Sequence, residues 1–390
     1  MTTVTGPVGK DVAPDVPIPE LLDIVIDRRA SDLHLTVGSP PVIRLHGDLE
    51  RLDQYPVLTQ QGLRAMIYAI LPQRRREQLE QELELDMSYS LPGRGRFRVN
   101  VYFQRDSIGA AFRLIPHEIL SIESLGLPPV VAELARYPRG FICVTGPTGS
   151  GKSTTLASLV DIVNTERKCH IMTVEDPIEF LHHHRTAMVN QREVGTDTRG
   201  FAQALKHVLR QDPDVILVGE MRDLETIQTA ITAAETGHLV FATLHTQDAP
   251  QTIDRIIDVF PPHQQQQVRV QLSTTLQGIV TQQLLQTADG LGRCVAAEVL
   301  IATSAVRNLI REGKVHQIYS VMQAGGRFGM QTMDASLAQL VRAGKITPRL
   351  AADRSHDPEE LERLLGAAGV GTSSSGAYVM GGAMSGDRSG

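Results

Sequence analysis

A glycine-rich octapeptide, GPTGSGKS at residues 146–153, follows a short run of apolar and small residues at 141–145. It fits the pattern G-x-x-x-x-G-K-[ST] after a buried strand, and residues 154–163 continue it as a helix-like run. Glycines let the backbone take positive φ and approach a phosphate closely, while N–H groups of the loop and the next helix supply positive potential. The sequence therefore predicts a nucleoside triphosphate site formed by Gly146, Thr148, Gly149, Ser150, Gly151, Lys152, Ser153 and Thr154.

The length, net charge and cysteine content of the chain limit the classes of protein to which it can belong. The chain has 390 residues, which is long for one hydrophobic core, so two domains are expected. A net charge of −6 does not favour a nucleic-acid-binding surface. Cys143, Cys169 and Cys294 form no C-x-x-C pair, so a reducing cytoplasm fits and a zinc ribbon does not. No apolar run approaches the ~20 residues that span a bilayer, so if the protein acts at a membrane, we expect it to dock onto something already there.

Alternating apolar and polar residues in the first third of the chain indicate half-buried strands at 32–37, 42–46 and 96–103. Residues 60–88 have helical spacing. We predict a disordered lead-in at residues 1–18 and a small α+β domain at 19–115. A linker marked by prolines is predicted at 116–138.

Strands alternate with helices from residue 139 onward, which favours a mostly parallel sheet covered by helices. The predicted strands are 141–145, 169–174, 215–219 and 239–244. Residues 264–286 and 303–322 are predicted to be helical. We assign 139–365 to one α/β domain and predict that the Gly/Ser-rich tail at 366–390 is disordered.

Carboxylates follow two of the predicted strands, at the edge where open α/β sheets place their ligands. Glu220 follows the apolar strand 215–219, which is the form of a second phosphate-loop motif that delivers a carboxylate to Mg²⁺ or to the attacking water. Glu175, Asp176 and Glu179 form an acidic cluster after the strand 169–174. Solvated surface loops are the alternative for both segments, but their place at strand ends favours a catalytic role.

Histidines bracket the last predicted strand. His238 comes before the strand 239–244 and His245 after it, so His245 lies at the ligand edge, within reach of a γ-phosphate. The three consecutive histidines at 182–184 cannot all face one ion, so no metal site is predicted there.

Arginines cluster at the end of the small domain. Arg96 and Arg98 share one face of a strand, and Arg105 and Arg113 follow. They either line a nucleotide pocket from a neighbouring domain or subunit or lie on a solvated strand face. Three further arginines are candidates for contacts across a subunit boundary that the sequence does not assign: Arg192, Arg210 and Arg222.

Together these segments resemble the secretion-ATPase superfamily of type II and type IV pilus systems, and within it the retraction motors. The likeness covers about residues 19–350 and lies in the phosphate loop, an acidic box at 173–180, a second phosphate-loop motif at 212–223, a histidine box at 236–246, and signatures at 305–312, 316–320 and 329–334. The signature at 305–312 has Val306 where the retraction branch has Ile, which is a conservative difference.

The resemblance implies a fold and a set of residue roles. The fold class is α/β, with a RecA-like P-loop ATPase domain preceded by a small α+β PAS-like domain, and ATP and Mg²⁺ bind between the two. Ser153 and Glu220 would hold Mg²⁺, partly through water, and Glu175 would act on the attacking water. The resemblance also implies that Asp176 and Glu179 share in activating the metal and the water. It implies that His238 and His245 couple the nucleotide state to domain motion, and that Arg98 and Arg113 complete the site.

The implied function is that of a homohexameric Mg-dependent ATPase at the cytoplasmic face of the inner membrane. It would power pilus retraction and twitching motility through an inner-membrane platform protein, with a paralogous accessory retraction ATPase as a further partner. Assembly-type relatives generally carry a longer N-terminal region and a four-cysteine zinc motif, which favours retraction here. The alternatives are a non-catalytic ATP-binding partner of another motor and a DNA-translocating ATPase, although the acidic balance argues against DNA.

The signature at 305–312 lies on the predicted helix 303–322, with Arg307, Asn308, Arg311 and Glu312 on its polar side. This side is either a solvated helix face or a contact that retraction needs. We expect Leu309→Ala to open a small cavity and Arg307→Ala to leave folding unchanged.

Overall fold

The computed structural model describes residues 16–115 and 118–366. Most of the predicted lead-in and tail, and the start of the predicted linker, lie outside the described residues. The chain divides into two compact units. The first holds the described residues up to Ser121 together with Leu134–Ile142 and Ser153–Thr243, and the second holds Ile122–Glu133, Cys143–Lys152 and the described residues from Leu244 onward. The predicted domain boundaries stay a prediction.

An antiparallel six-stranded sheet lies in the first unit. Its strands are β1 (Asp32–Leu35), β2 (Val42–Leu45), β3 (Asp48–Arg51), β4 (Glu84–Leu91), β5 (Gly95–Gln104) and β6 (Ser107–Ile115). They run in the spatial order β3-β2-β1-β6-β5-β4. The accompanying helices are α1 (Ile18–Asp27), α2 (Gln60–Ile70) and α3 (Gln73–Glu82).

Burial follows the alternation of the sequence in this sheet. Phe97 and Val99 of β5 and Phe112 of β6 are fully buried, and they belong to one core cluster with Leu21 of α1 and Ile67 of α2. The predicted helical stretch 60–88 is wrong at its end, because α3 stops where Leu83 takes a left-handed φ of 63° and the chain continues as β4.

A seven-stranded sheet has the order β13-β12-β7-β11-β10-β8-β9. Its strands are β7 (Gly140–Thr145), β8 (His170–Glu175), β9 (Met188–Glu193), β10 (Val215–Val218), β11 (Leu239–Leu244), β12 (Leu276–Gln286) and β13 (Arg293–Ile301). Strands β9, β8, β10 and β11 pair in parallel, whereas β12 and β13 pair antiparallel. The four strands predicted from residue 139 onward are confirmed as β7, β8, β10 and β11.

The helices that follow residue 121 are α4 (Val130–Leu134), α5 (Lys152–Glu166), α6 (Phe201–Val208), α7 (Leu224–Glu235), α8 (Ala249–Asp258), α9 (Pro262–Thr275), α10 (Ser304–Glu312), α11 (Ile318–Gln323), α12 (Met333–Arg342), α13 (Pro348–Arg354) and α14 (Pro358–Gly366). In the part of the chain that the structure describes, no helix is long and apolar enough to cross a membrane.

Two predicted helices differ from the structure. The helix expected at 264–286 ends at Thr275, and the remainder is β12, because its long ladder with β13 overrides the helical preference of its Leu and Gln residues. The helix expected at 303–322 breaks at Gly313, whose left-handed φ of 70° ends α10. Leu309 is only half-buried there, whereas Val306 and Ile310 are fully buried.

Candidate active site

The phosphate loop joins the end of β7 to the start of α5. Gly146, Gly149 and Gly151 have positive φ of 134°, 78° and 92°. A Cβ on Gly146 would lie 2.3 Å from the carbonyl oxygen of Gln282 and 2.7 Å from Ser150 Oγ. Only glycine therefore fits at position 146 without moving β12 or the loop itself.

Lys152 begins α5 and is 9% exposed. Its ammonium group donates to the carbonyl oxygens of Gly146 and Pro147, each at 2.9 Å. Ser150 Oγ is buried and has no hydrogen-bond partner among the described residues. A glycine cradle, a buried cation and an unpartnered hydroxyl are groups that suit a polyphosphate, so the loop fits the predicted nucleotide. Ser153 and Thr154 are half-buried in the first turn of α5.

Glu175 ends β8, and two side chains donate hydrogen bonds to one of its carboxylate oxygens. Thr173 Oγ1 and Gln191 Nε2 donate to Glu175 Oε1 at 2.6 Å and 3.1 Å. Burial raises the pKa of Glu175 above its ordinary value, although these hydrogen bonds lower it in part. A fixed carboxylate with a raised pKa is suited to accept a proton. Asp176 and Glu179 are exposed.

Glu220 lies two residues beyond the end of β10 and is half-buried. Strands β8 and β10 are neighbours with Val174 opposite Val218, so Glu175 and Glu220 leave the same edge of the sheet. A Cβ on Gly219 would lie 3.1 Å from Glu175 Cα, so this glycine lets the two strand ends approach closely.

Arg222 Nε pairs with Glu220 Oε1 at 2.6 Å, and this hydrogen bond raises the pKa of the Arg222 guanidinium. Arg192 Nη2 donates to the carbonyl oxygen of Asp197 at 3.2 Å. The predicted reach of Arg192, Arg210 and Arg222 across subunits stays a prediction.

The two histidines of the histidine box lie at opposite ends of β11. His238 precedes the strand, where its Nδ1 is 2.9 Å from the carbonyl oxygen of Ala233 and its own carbonyl accepts from Gly140 N–H at 3.0 Å. His245 is exposed immediately after the strand, at the carboxyl end. His245 thus lies at the end of the strand where the ligand is predicted to bind, whereas His238 contacts the end of α7. The role of the two histidines in coupling nucleotide state to domain motion stays a prediction.

Arg98 and Arg113 lie opposite each other on β5 and β6. Arg98 is exposed, and Arg113 Nε pairs with Asp32 Oδ1 at 2.8 Å while its side chain stays 72% exposed. Their role in completing a nucleotide site stays a prediction. Arg96, on the same strand face, is instead largely buried against Glu193 of β9.

Sequence reasoning missed β9, which has Val189 as its one deeply buried apolar side chain. Gln191 and Glu193 of this strand contact the acidic box: Gln191 bonds Glu175, and Glu193 Oε2 accepts from the N–H of Ile178 at 3.2 Å. The available signal was the spacing of these two polar residues, which places both on one face of a strand just after the acidic box.

A phosphate loop between strand and helix, with carboxylates at the ends of neighbouring parallel strands, defines a P-loop nucleoside triphosphatase. The family described as Type II/IV secretion system protein matches residues 111–347. The chain belongs to this family.

The chain is 51% identical to the type IV pilus retraction ATPase PilT of Pseudomonas aeruginosa, over 88% of this chain and 99% of that protein. It is 50% identical to a twitching motility protein of Neisseria gonorrhoeae, over 85% of this chain and 90% of the relative. The crystal structure of the pilus retraction motor PilT with bound ADP matches with a TM-score of 0.83 and 50% identity, covering 89% of this chain and 99% of that one. The predicted fold class, a RecA-like ATPase domain after a small PAS-like α+β domain, is confirmed.

Proposed function

We propose that this chain is an Mg-dependent ATPase that powers the retraction of type IV pili and thereby twitching motility. The observation that carries the proposal is the phosphate loop, where Gly146 has no room for a Cβ and Lys152 is a buried cation. Identity of 51% over nearly the whole length of a pilus retraction ATPase supports the assignment to retraction.

Different residues of this chain bind the phosphates, hold Mg²⁺ and accept the proton during hydrolysis. The loop and Lys152 bind and orient the phosphates. Ser153, and Glu220 through water, would hold Mg²⁺, which when bound neutralises charge on the phosphate oxygens. Glu175, fixed by Thr173 and Gln191, accepts a proton from the attacking water.

The motor is proposed to be a homohexamer in the cytoplasm, docked at the inner membrane. Arg98 and Arg113 complete a nucleotide site by stabilising charge on the phosphates, and His238 and His245 couple the nucleotide state to domain motion. That motion acts on an inner-membrane platform protein, with a paralogous accessory ATPase as a further partner. We expect no nucleic acid among its partners.

Complementation in the host bacterium tests the proposal. A strain deleted for this chain's gene receives the wild type, Lys152→Ala, or the matched control Lys168→Ala, which changes an exposed lysine after α5. We expect the wild type and the control to restore twitching zones and pilus retraction, and Lys152→Ala to restore neither at equal protein level. Retraction supported by Lys152→Ala would overturn the proposal.

A further inference from the structure

Glu193, the last residue of β9, is a buried carboxyl group that the mechanism above does not use. It is 3% exposed and lies directly opposite Glu175 in the parallel pairing of β8 and β9. The backbone also joins the two strand ends, since Val194 N–H donates to the carbonyl oxygen of Glu175 at 2.8 Å. Glu193 and the end of β8 are therefore linked through the backbone, so a movement of Glu193 would also move the end of β8.

On one side, Glu193 holds the acidic box. Its Oε2 accepts from the N–H of Ile178 at 3.2 Å. Ile178 is 3% exposed, so burial makes its N–H dependent on this acceptor. Ile178 lies between Asp176 and Glu179, so its backbone position sets how the carboxylates of the box are presented.

On the other side, Glu193 is held by the six-stranded sheet. Arg96 Nη2 of β5 lies 3.0 Å from the same Oε2, and the two side chains are only 16% and 4% exposed. Arg96 Nη2 also donates to Ser88 Oγ of β4 at 2.6 Å, which fixes the guanidinium on the sheet. Arg75 adds a longer contact, from its Nη2 to the carbonyl oxygen of Gly195 at 3.4 Å.

We propose that Arg96 is a positioning residue for ATP hydrolysis: through Glu193 and the N–H of Ile178 it fixes the acidic box, so that productive carboxylate geometry requires the six-stranded sheet to be docked on β9. Removing Arg96 leaves a buried carboxylate without a counter-charge, held by the hydroxyl of Thr196 on Oε1 and the N–H of Ile178 on Oε2. Such a carboxylate is drawn towards water, which loosens its hold on Ile178. The inference rests on the proposed ATPase function. It adds a dependence of chemistry on domain docking that operates within a single chain.

The test uses the full-length chain with Arg96→Ala, Glu193→Gln, and the control Arg94→Ala. Arg94 is also an arginine of the small domain, but it pairs with the exposed Asp23 and Asp27 instead. We expect Arg96→Ala to lower kcat for ATP by at least ~10-fold while KM and the Kd of a fluorescent ADP analogue stay within about twofold, because the phosphate loop is untouched. Arg94→Ala should match the wild type.

Hydrogen exchange in the nucleotide-free protein supplies a readout other than activity. The amide hydrogens of the peptide covering 175–182 should exchange faster in Arg96→Ala than in the wild type, and at the wild-type rate in Arg94→Ala. Glu193→Gln replaces the charge-assisted contact with a weaker neutral one, so Arg96 holds this side chain, and through it the N–H of Ile178, less firmly. It should lower kcat in the same direction, and the double variant should be no worse than Arg96→Ala. If Arg96→Ala does not fold, Glu193→Gln alone carries the test.

A wild type that binds ATP without turnover would count against the proposed function. The role of Arg96 is tested by different results, in the variants. Turnover of Arg96→Ala and Glu193→Gln within about twofold of Arg94→Ala would overturn the inference, as would additive losses in the double variant. A parallel loss of ADP binding and melting temperature would also overturn it, since that result marks a purely structural ion pair.

Discussion

At the residue scale, Gly146 shows how the phosphate loop depends on its neighbours. Its φ of 134° is one that L side chains rarely adopt, and a Cβ would meet the backbone of Gln282. Gly93 is a suitable comparison, because it also has positive φ, at 71°, but has open space around it.

We predict that Gly146→Ala weakens ADP binding by at least ~100-fold, about 2.7 kcal/mol, because the loop must shift away from β12. Gly93→Ala should bind ADP as the wild type does. Titration with a fluorescent ADP analogue measures both. Normal affinity in Gly146→Ala would show that the loop tolerates a side chain there.

Glu298 of β13 is a buried carboxyl group with its Oε1 accepting from Ala249 N–H at 2.7 Å. Burial, with Asp248 and Asp334 nearby, raises the pKa of Glu298 to about 8 from an ordinary value of 4.5. Between these two values the unfolded chain has released the proton that the folded chain still holds. The free energy of unfolding therefore falls as pH rises through this window.

We predict that Glu298→Gln removes this part of the pH dependence, since the amide keeps the shape and does not titrate. The wild type should lose up to ~1.4 kcal/mol per pH unit from this group between about pH 5 and pH 8. Glu298→Gln should lose less, and Glu359→Gln, at an exposed position, should behave as the wild type. Urea unfolding across that range measures the slopes, and equal slopes in the wild type and Glu298→Gln would refute the prediction.

At the element scale, Arg307 joins α10 to the end of α9. Its guanidinium donates to the carbonyl oxygens of Ser273 and Thr274 at 2.8 and 2.9 Å, and also to Ala302 O and Gln277 Oε1 at 2.9 Å each. Cations at the C-terminus of a helix satisfy its last carbonyl groups. The expectation that Arg307→Ala leaves folding unchanged is therefore reversed.

We predict that Arg307→Ala lowers the free energy of unfolding by ~1.5–3 kcal/mol, as for loss of charged hydrogen bonds. Arg311→Ala, on the exposed side of the same helix, should change it by less than ~0.5 kcal/mol. Denaturant unfolding of both variants decides this, and equal losses would argue against a capping role.

The elements that could be predicted from sequence are those with a local signal. Strands β7, β8, β10 and β11 are apolar runs followed by polar residues, and the phosphate loop is a fixed pattern of glycines. Strand β12 could not be predicted, because its pairing with β13 and β7, and not its own residue pattern, makes it a strand. Glu193 and Gln191 were missed for the same reason, since β9 has one deeply buried apolar side chain and becomes a strand by pairing with β8.

At the scale of the whole molecule, we expect ATP hydrolysis to need the phosphate loop, the fixed carboxylate of Glu175, and the six-stranded sheet whose Arg96 pairs with Glu193. Hydrolysis would then depend on the contact between this sheet and β9. A non-catalytic scaffold subunit would bind ATP without hydrolysing it, so turnover by this chain separates the two possibilities.

The most direct test is phosphate release by the purified chain with Mg-ATP, beside Lys152→Ala and Glu220→Ala, with the oligomer mass measured in parallel. We predict steady turnover by a hexamer, and its loss in both variants. ADP binding without turnover in the wild type would contradict it, and would favour a non-catalytic subunit on another motor's ring.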